Sequence, residues 1–281
     1  MKITRPTKIK QQVELANNIK AELLRLVQLR LKAAQKSDEP TEELQDLKDE
    51  LEAVSEVFSI SKKHLPYAEA DRCGSMLSGP FFVSKKFPAP VAKSGTLYPI
   101  VQFDLAMLSK ALQADAGCGL LQLWYDIKGN KELIRIIPAD TVVHQDLIDL
   151  QVKPLDPDDS FPLPGWLERN PVQNGVEAVQ GLVSCGVETH GNLADVYCEV
   201  FEGKNDWLRT LLTAFAQITL TPTCGVFSAG GTLQVIDYNH TDVKMHQLLK
   251  LSDWGSSGNA EIFFRPKKGK STEYAFWSSV R

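Results

Sequence analysis

Two patterns of apolar residues divide the chain, and the boundary between them falls near residue 60. Residues 10–36 contain neither Gly nor Pro, and their apolar side chains recur at intervals that keep them on one face of a helix. This segment therefore predicts an amphipathic helix. Its apolar positions are Leu15, Ile19, Leu23, Leu26 and Val27.

A second helix is predicted after the polar break at 37–40. Thr41 is the expected N-cap, and Glu42 and Glu43 follow in the first turn, where negative charge suits the helix dipole. Two helices joined by a short loop predict an antiparallel helical hairpin over residues 1–60, whose charged faces are either solvated or an interaction surface. The second apolar stripe has heptad-like spacing and comprises Leu44, Leu47, Leu51, Val54 and Phe58.

From residue 61 the chain consists of short apolar runs broken by Gly, Pro, Asn and Asp, which predicts a β-rich domain over 61–281. Helical spacing interrupts these runs at 104–114 and at 205–219. The predicted strands are 80–83, 97–103, 119–126, 132–137, 181–187, 232–237, 246–251, 260–265 and 272–277.

A segment rich in proline separates the β-rich region into two parts. Residues 151–175 contain five prolines, and proline removes a backbone donor and fixes φ. An extended loop is therefore expected there, joining two related halves at about 75–150 and 176–281.

One pattern occurs in both halves. Residues 97–108, "LYPIVQFDLAML", and residues 249–264, "LKLSDWGSSGNAEIFF", each contain an apolar run followed by a polar break with an aspartate, Asp104 or Asp253. A second strand-like run follows each break. We interpret this as a duplicated strand–turn–strand unit, in which Gln102 and Asp104 cap or hydrogen-bond the turn after their strand.

Several of these segments resemble the YwqG-like family in a shared order. Residues 117–126, "GCGLLQLWYD", are similar to the family's next strand, and residues 229–234, 246–253 and 254–264 are similar to its later signatures. One departure is that the family's usual Gly-Gly pair is replaced by "SGP" at 78–80. The opening signature is carried by Gly79, Pro80, Pro88, Pro99, Gln102 and Asp104.

The resemblance implies an α+β fold built on mainly antiparallel β-sheets with an internal duplication, to which this chain adds the N-terminal helical hairpin. The pattern of strands and turns agrees with that fold class. The resemblance implies no reaction, because the family has no established one. Some of its members resemble bacterial immunity proteins, which are encoded beside toxins.

Composition narrows the class of partner. The net charge is −4 and the sequence pI is about 5.8, whereas nucleic-acid-binding domains are more often basic, so no nucleic acid is expected. No apolar segment is long enough to span a bilayer, and residues 1–18 lack the apolar core of a signal peptide. We therefore expect a cytoplasmic protein. Its five cysteines are widely spaced, which favours reduced thiols over a disulfide framework.

Motifs for chemistry are absent from the sequence. "GSSG" at 255–258 has its glycines too close together for a nucleophile elbow, and no phosphate-binding glycine loop occurs. Nothing in the sequence fixes Cys73 near a histidine, although His64 is nine residues away. No catalytic residue, cofactor or metal is predicted. The least unfavourable metal set would combine His240 and His246 with Asp237 or Asp242.

We therefore expect a non-enzymatic binding protein, in its sharpest form an immunity protein that neutralises a cognate bacterial toxin. The alternatives are a small-ligand or metal-binding domain, and an enzyme of unrecognised class with Cys73 or Cys185 beside a histidine. Aromatic residues of the proline-rich loop either anchor the partner or pin the loop to the body. The candidate partner contacts are Asp156, Asp158, Asp159, Phe161 and Trp166.

Overall fold

The computed structural model confirms an α+β fold with an N-terminal pair of helices and a large antiparallel sheet. No helix among the described residues is long and apolar enough to cross a membrane. The structure describes residues 8–93, 95–150, 152–155, 163–188, 211, 213–215, 227–230, 233–238, 241–254, 258–267 and 271–279.

The predicted helical hairpin consists of α1 (Ile9–Ser37) and α2 (Glu42–Ala53). The first helix ends at Asp38, which adopts the left-handed conformation and donates its N–H to the carbonyl of Ala34. Thr41 precedes the second helix as expected, but its side chain forms no capping hydrogen bond. The ammonium group of Lys20 instead stabilises the other end of α2, because it donates to the carbonyls of Glu52 and Val54 at 3.3 and 2.7 Å.

The prediction that the second apolar stripe continues helically to Phe58 is wrong. The helix ends at Ala53, and Ser55–Leu65 forms strand β1. Phe58 satisfies heptad spacing, but the β-branched residues Val57 and Ile60 lie close to it and suit a strand. The tertiary environment therefore decides the conformation of this segment.

The chain divides into two compact units that differ from the predicted halves. Unit 1 comprises Met1–Phe58, Ser184–Cys224 and Gly230–His246, and unit 2 comprises Ser59–Val183, Gly225–Ala229 and Gln247–Arg281. The apolar stripes of α1 and α2 are buried inside unit 1, so the hairpin packs within its own unit. Its core also contains Val187, Leu211, Ala214 and Phe215.

After β1 the chain forms the strands β2 (Met76–Leu77), β3 (Val91–Ala92), β4 (Gly95–Thr96), β5 (Tyr98–Asp104), β6 (Leu120–Asp126), β7 (Lys131–Ile137), β8 (Val176–Glu188), β9 (Phe227–Gly230), β10 (Leu233–Tyr238), β11 (Thr241–Trp254), β12 (Gly258–Arg265) and β13 (Glu273–Ser279). Helix α3 (Leu105–Leu112) follows β5, and the short helix α4 (Pro171–Asn174) precedes β8. The sheet follows the strand order β13-β12-β11-β9-β1-β8-β2-β5-β6-β7, and strands β1, β8, β9 and β11 contribute residues to both units. Strand β10 pairs with the first part of β11 in unit 1.

Each sequence repeat corresponds to the first two strands of a three-stranded segment of the sheet. These segments are β5–β6–β7 and β11–β12–β13, and they lie at opposite ends of the strand order. Their aspartates are used differently. Asp104 caps α3, since its Oδ1 accepts from the N–H of Ala106 at 2.9 Å, which confirms the expected cap. Asp253 lies near the end of β11 with φ 60°, in the left-handed region.

Residues 80–83 are predicted as a strand, but in the structure they belong to no strand. Phe81, Phe82 and Val83 are nevertheless buried, which explains why the apolar run resembles one. This buried segment matters for the site in unit 2, because its backbone groups are bonded by side chains of the sheet. Of the helix predicted at 205–219, Leu211 and residues 213–215 are helical, and the other residues lie outside the described ones.

We predict that Leu23→Ala lowers the free energy of unfolding of the protein by about 2–5 kcal/mol, because Leu23 is 0% exposed in the core of unit 1. Leu29, on the same helix, is 51% exposed, so Leu29→Ala should change stability by only about 0.5 kcal/mol. Urea denaturation followed by circular dichroism measures both. Equal losses in the two variants would contradict the assigned buried face.

Candidate functional site

The proline-rich loop contains the residues predicted to contact a partner. Asp156, Asp158, Asp159 and Phe161 lie outside the described residues. Trp166 is half-buried, and its Nε1–H donates to the carbonyl of Ser252 at 2.9 Å. This bond is what the pinning interpretation predicts, because it ties the loop to the end of β11.

A second group of residues converges elsewhere in unit 2. The Sγ of Cys73 lies 3.6 Å from Nδ1 of His144, and Nε2 of His144 lies 3.9 Å from Oδ1 of Asp71. One ligand-type atom from each residue lies within 4.8 Å of the others. Asp71 and His144 are exposed, whereas Cys73 is partly buried. A thiol, an imidazole and a carboxylate therefore meet at the surface.

The backbone on both sides of Cys73 is held by one buried amide. The Nε2 of Gln102 donates to the carbonyl of Arg72 at 3.0 Å and to the carbonyl of Gly74 at 2.7 Å. Asp71 adds a local bond, since its Oδ1 accepts from the N–H of Cys73 at 2.9 Å. The backbone that carries Cys73 is thus held on both sides.

Gln102 is held in turn by a row of polar side chains across three strands. Gln102 on β5 is opposite Gln122 on β6, which is opposite Arg135 on β7. The Nε2 of Gln122 donates to Oε1 of Gln102 at 2.6 Å, and Nη2 of Arg135 donates to Oε1 of Gln122 at 2.6 Å. Trp124 Nε1 donates to the same Gln122 oxygen at 3.0 Å. These side chains satisfy one another inside an otherwise apolar core.

This network corrects the expected role of Gln102. The sequence suggested that Gln102 bonds the turn after its strand, whereas its Oε1 accepts from the N–H of Phe82 at 2.9 Å. The carbonyl of Phe82 accepts from Nε2 of Gln122 at 2.8 Å. Both backbone groups of Phe82 are therefore satisfied by side chains instead of a neighbouring strand.

His144 is connected to the same network. The Nη2 of Arg72 donates to the carbonyl of Ile148 at 2.6 Å and to that of Phe81 at 3.2 Å. The N–H of Ile148 donates to the carbonyl of Val83 at 3.0 Å. His144 begins the short 3-10 turn that leads into this segment. The loops that carry Cys73 and His144 are thus fastened to one buried segment, residues 81–83.

The electrostatic surroundings keep the Cys73 thiol protonated. Burial raises the pKa of Cys73, and the negative charge of Asp71 raises it further, while Arg72 opposes both effects. Because the thiolate is the reactive form, the thiol is not activated as a nucleophile by this arrangement. Burial also lowers the pKa of Arg135 to about 10, which leaves its guanidinium charged at neutral pH.

Sequence reasoning singled out Cys73 but not His144 or Asp71 as its neighbours. It drew attention to His64, whose Nδ1 lies 3.3 Å from Oε1 of Glu177 instead. The partner of Cys73 is 71 residues further along the chain, so no local spacing could reveal it. Of the metal set considered from the sequence, His240 lies outside the described residues, and His246 is on β11 opposite Leu233.

No protein-family model matches this chain, and no curated protein matches it either.

We predict that Asp71→Asn accelerates alkylation of Cys73 by iodoacetamide at pH 8. Removing the carboxylate charge lowers the pKa of the thiol and increases the thiolate fraction, by up to roughly tenfold for a change of one pKa unit. Asparagine keeps the oxygen that accepts from the N–H of Cys73. Peptide-level mass spectrometry measures the rate at Cys73.

Glu43→Gln, which removes an exposed carboxylate of α2, is the control and should leave the rate at Cys73 unchanged. A slower reaction in Asp71→Asn than in the unmodified chain would contradict the assigned influence of Asp71.

Proposed function

We propose that this chain is a non-enzymatic binding protein, and specifically an immunity protein that binds and neutralises a cognate bacterial toxin. The motif order shared with the YwqG-like family motivates the proposal, since some members of that family resemble immunity proteins. The acidity of the chain, with a net charge of −4, favours a basic partner through electrostatic steering.

The observation that carries the proposal is the exposure of Trp277 on β13. Its indole is 48% exposed, whereas Trp124 and Trp254 are buried in the core. Tryptophan is enriched among the residues that dominate the energy of protein interfaces, because it buries a large rigid surface. Trp277 is therefore the anchor that we assign within the described part of the chain.

The acidic and aromatic residues of the proline-rich loop remain predicted partner contacts in this proposal. Asp156, Asp158 and Asp159 would attract a basic surface, and Phe161 would supply a further apolar contact. Trp166 has a different role here, because its bond to Ser252 holds the loop in place.

The meeting of Cys73 and His144 is the feature that the enzyme alternative requires. However, the raised pKa of Cys73 favours the unreactive thiol over the thiolate at neutral pH. This supports binding over thiol catalysis, and we retain the binding proposal for that reason.

The decisive test is co-expression with the product of a toxin-domain gene that neighbours the gene for this chain. We expect co-expression to rescue cells from that toxin, and the purified pair to elute together in size-exclusion chromatography. The immunity proposal is rejected if co-expression does not rescue the cells and the purified pair does not elute together. A metabolic operon around the gene would also count against it.

We further predict that Trp277→Ala weakens binding to that toxin at least tenfold, because the loss of an interface anchor costs about 2 kcal/mol or more. Val172→Ala is the matched control, since Val172 is 57% exposed and has no assigned contact with the partner. Isothermal titration calorimetry gives the affinities, and thermal melting confirms that both variants fold. Equal affinities in the two variants would remove Trp277 from the interface.

A further inference from the structure

The cluster of Asp71, Cys73 and His144 combines three side-chain types that serve as metal ligands, in one place. We propose that these residues bind a divalent transition-metal ion of the Zn²⁺ type. This inference goes beyond toxin binding and does not depend on it.

The distance between the sulfur and nitrogen atoms carries the inference. Zn–S and Zn–N bonds of about 2.3 and 2.0 Å at a tetrahedral angle place the two ligand atoms about 3.5 Å apart. The Sγ of Cys73 and Nδ1 of His144 are separated by 3.6 Å. The two side chains are therefore spaced as they would be around one tetrahedral ion.

Asp71 supplies the third ligand. A carboxylate oxygen of Asp71 lies within 4.8 Å of the sulfur of Cys73 and of a ring nitrogen of His144, and the side chain is exposed. Its Oδ1, which accepts from the N–H of Cys73, lies 3.9 Å from Nε2 of His144. Three protein ligands leave a fourth position for water. The arrangement is an open site at the surface.

The donor set determines which ions fit. Thiolate and imidazole favour Zn²⁺ and its substitute Co²⁺, whereas Mg²⁺ and Ca²⁺ prefer sites made of oxygen atoms. On binding, the metal–sulfur bond forms as the S–H bond of Cys73 breaks, and the proton is released to solvent.

The supporting structure suits a metal site. Metal ligands are oriented by hydrogen bonds in the layer behind them, and loss of such bonds weakens binding. Here Gln102 fixes the backbone on both sides of Cys73, and Arg72 fixes the segment that follows His144. Both ligand loops are thereby positioned before any ion arrives.

Titration of the purified, tag-free chain with Co²⁺ tests the proposal. We expect a saturable thiolate-to-cobalt charge-transfer band in the near ultraviolet that Zn²⁺ abolishes and Mg²⁺ does not. Cys73→Ser should eliminate the band, and His144→Ala and Asp71→Asn should weaken binding at least about tenfold. Cys185→Ser and His64→Ala are the matched controls and should keep the band.

A second measurement covers the case in which Cys73→Ser does not fold. In the unmodified chain, Zn²⁺ should protect Cys73 from iodoacetamide while leaving Cys118, an exposed thiol, reactive. The proposal is overturned if the unmodified chain gives no charge-transfer band, if Cys73→Ser gives the same band, or if Zn²⁺ leaves the alkylation of Cys73 unchanged.

Discussion

The site in unit 2 depends on one constraint, which is that a fully buried amide must use all of its hydrogen-bonding groups. Gln102 is 0% exposed, and its nitrogen and oxygen together bond the backbone of Arg72, Gly74 and Phe82. Phe82 is itself fully buried, so its N–H would otherwise lack a partner, at a cost of about 1–3 kcal/mol. One side chain thus determines where several irregular segments lie against a regular sheet.

The pattern of apolar residues predicts the regular elements well where a single period dominates. Helix α1 follows from its helical spacing, and strands β5 and β6 follow from short continuous apolar runs that match their burial on both faces. The strand Ser55–Leu65 is an exception, because Phe58 continues the helical spacing of α2 while the β-branched residues Val57 and Ile60 favour a strand. Tertiary pairing then decides between them, and pairing is invisible in a local window.

The candidate site was less predictable for a related reason. A glutamine in an apolar run indicates that its side chain has a hydrogen-bond partner but does not identify that partner. Gln102 and Gln122 bond each other between two neighbouring strands. The repeat likewise indicated two similar strand pairs but not that Asp104 would cap a helix while Asp253 would take a left-handed conformation. Similar sequence patterns specify similar strands, whereas the residues at their ends are free to diverge.

The long separation of Cys73 and His144 along the chain has a consequence for how the protein is made. The two residues are 71 positions apart, and strands β5, β6 and β7 lie between them. Contacts over such distances form only after the intervening chain has closed a large loop, which costs entropy and slows assembly. A nascent chain that ends before residue 144 therefore carries Cys73 without His144. The cluster exists only in a chain whose first three-stranded run is complete.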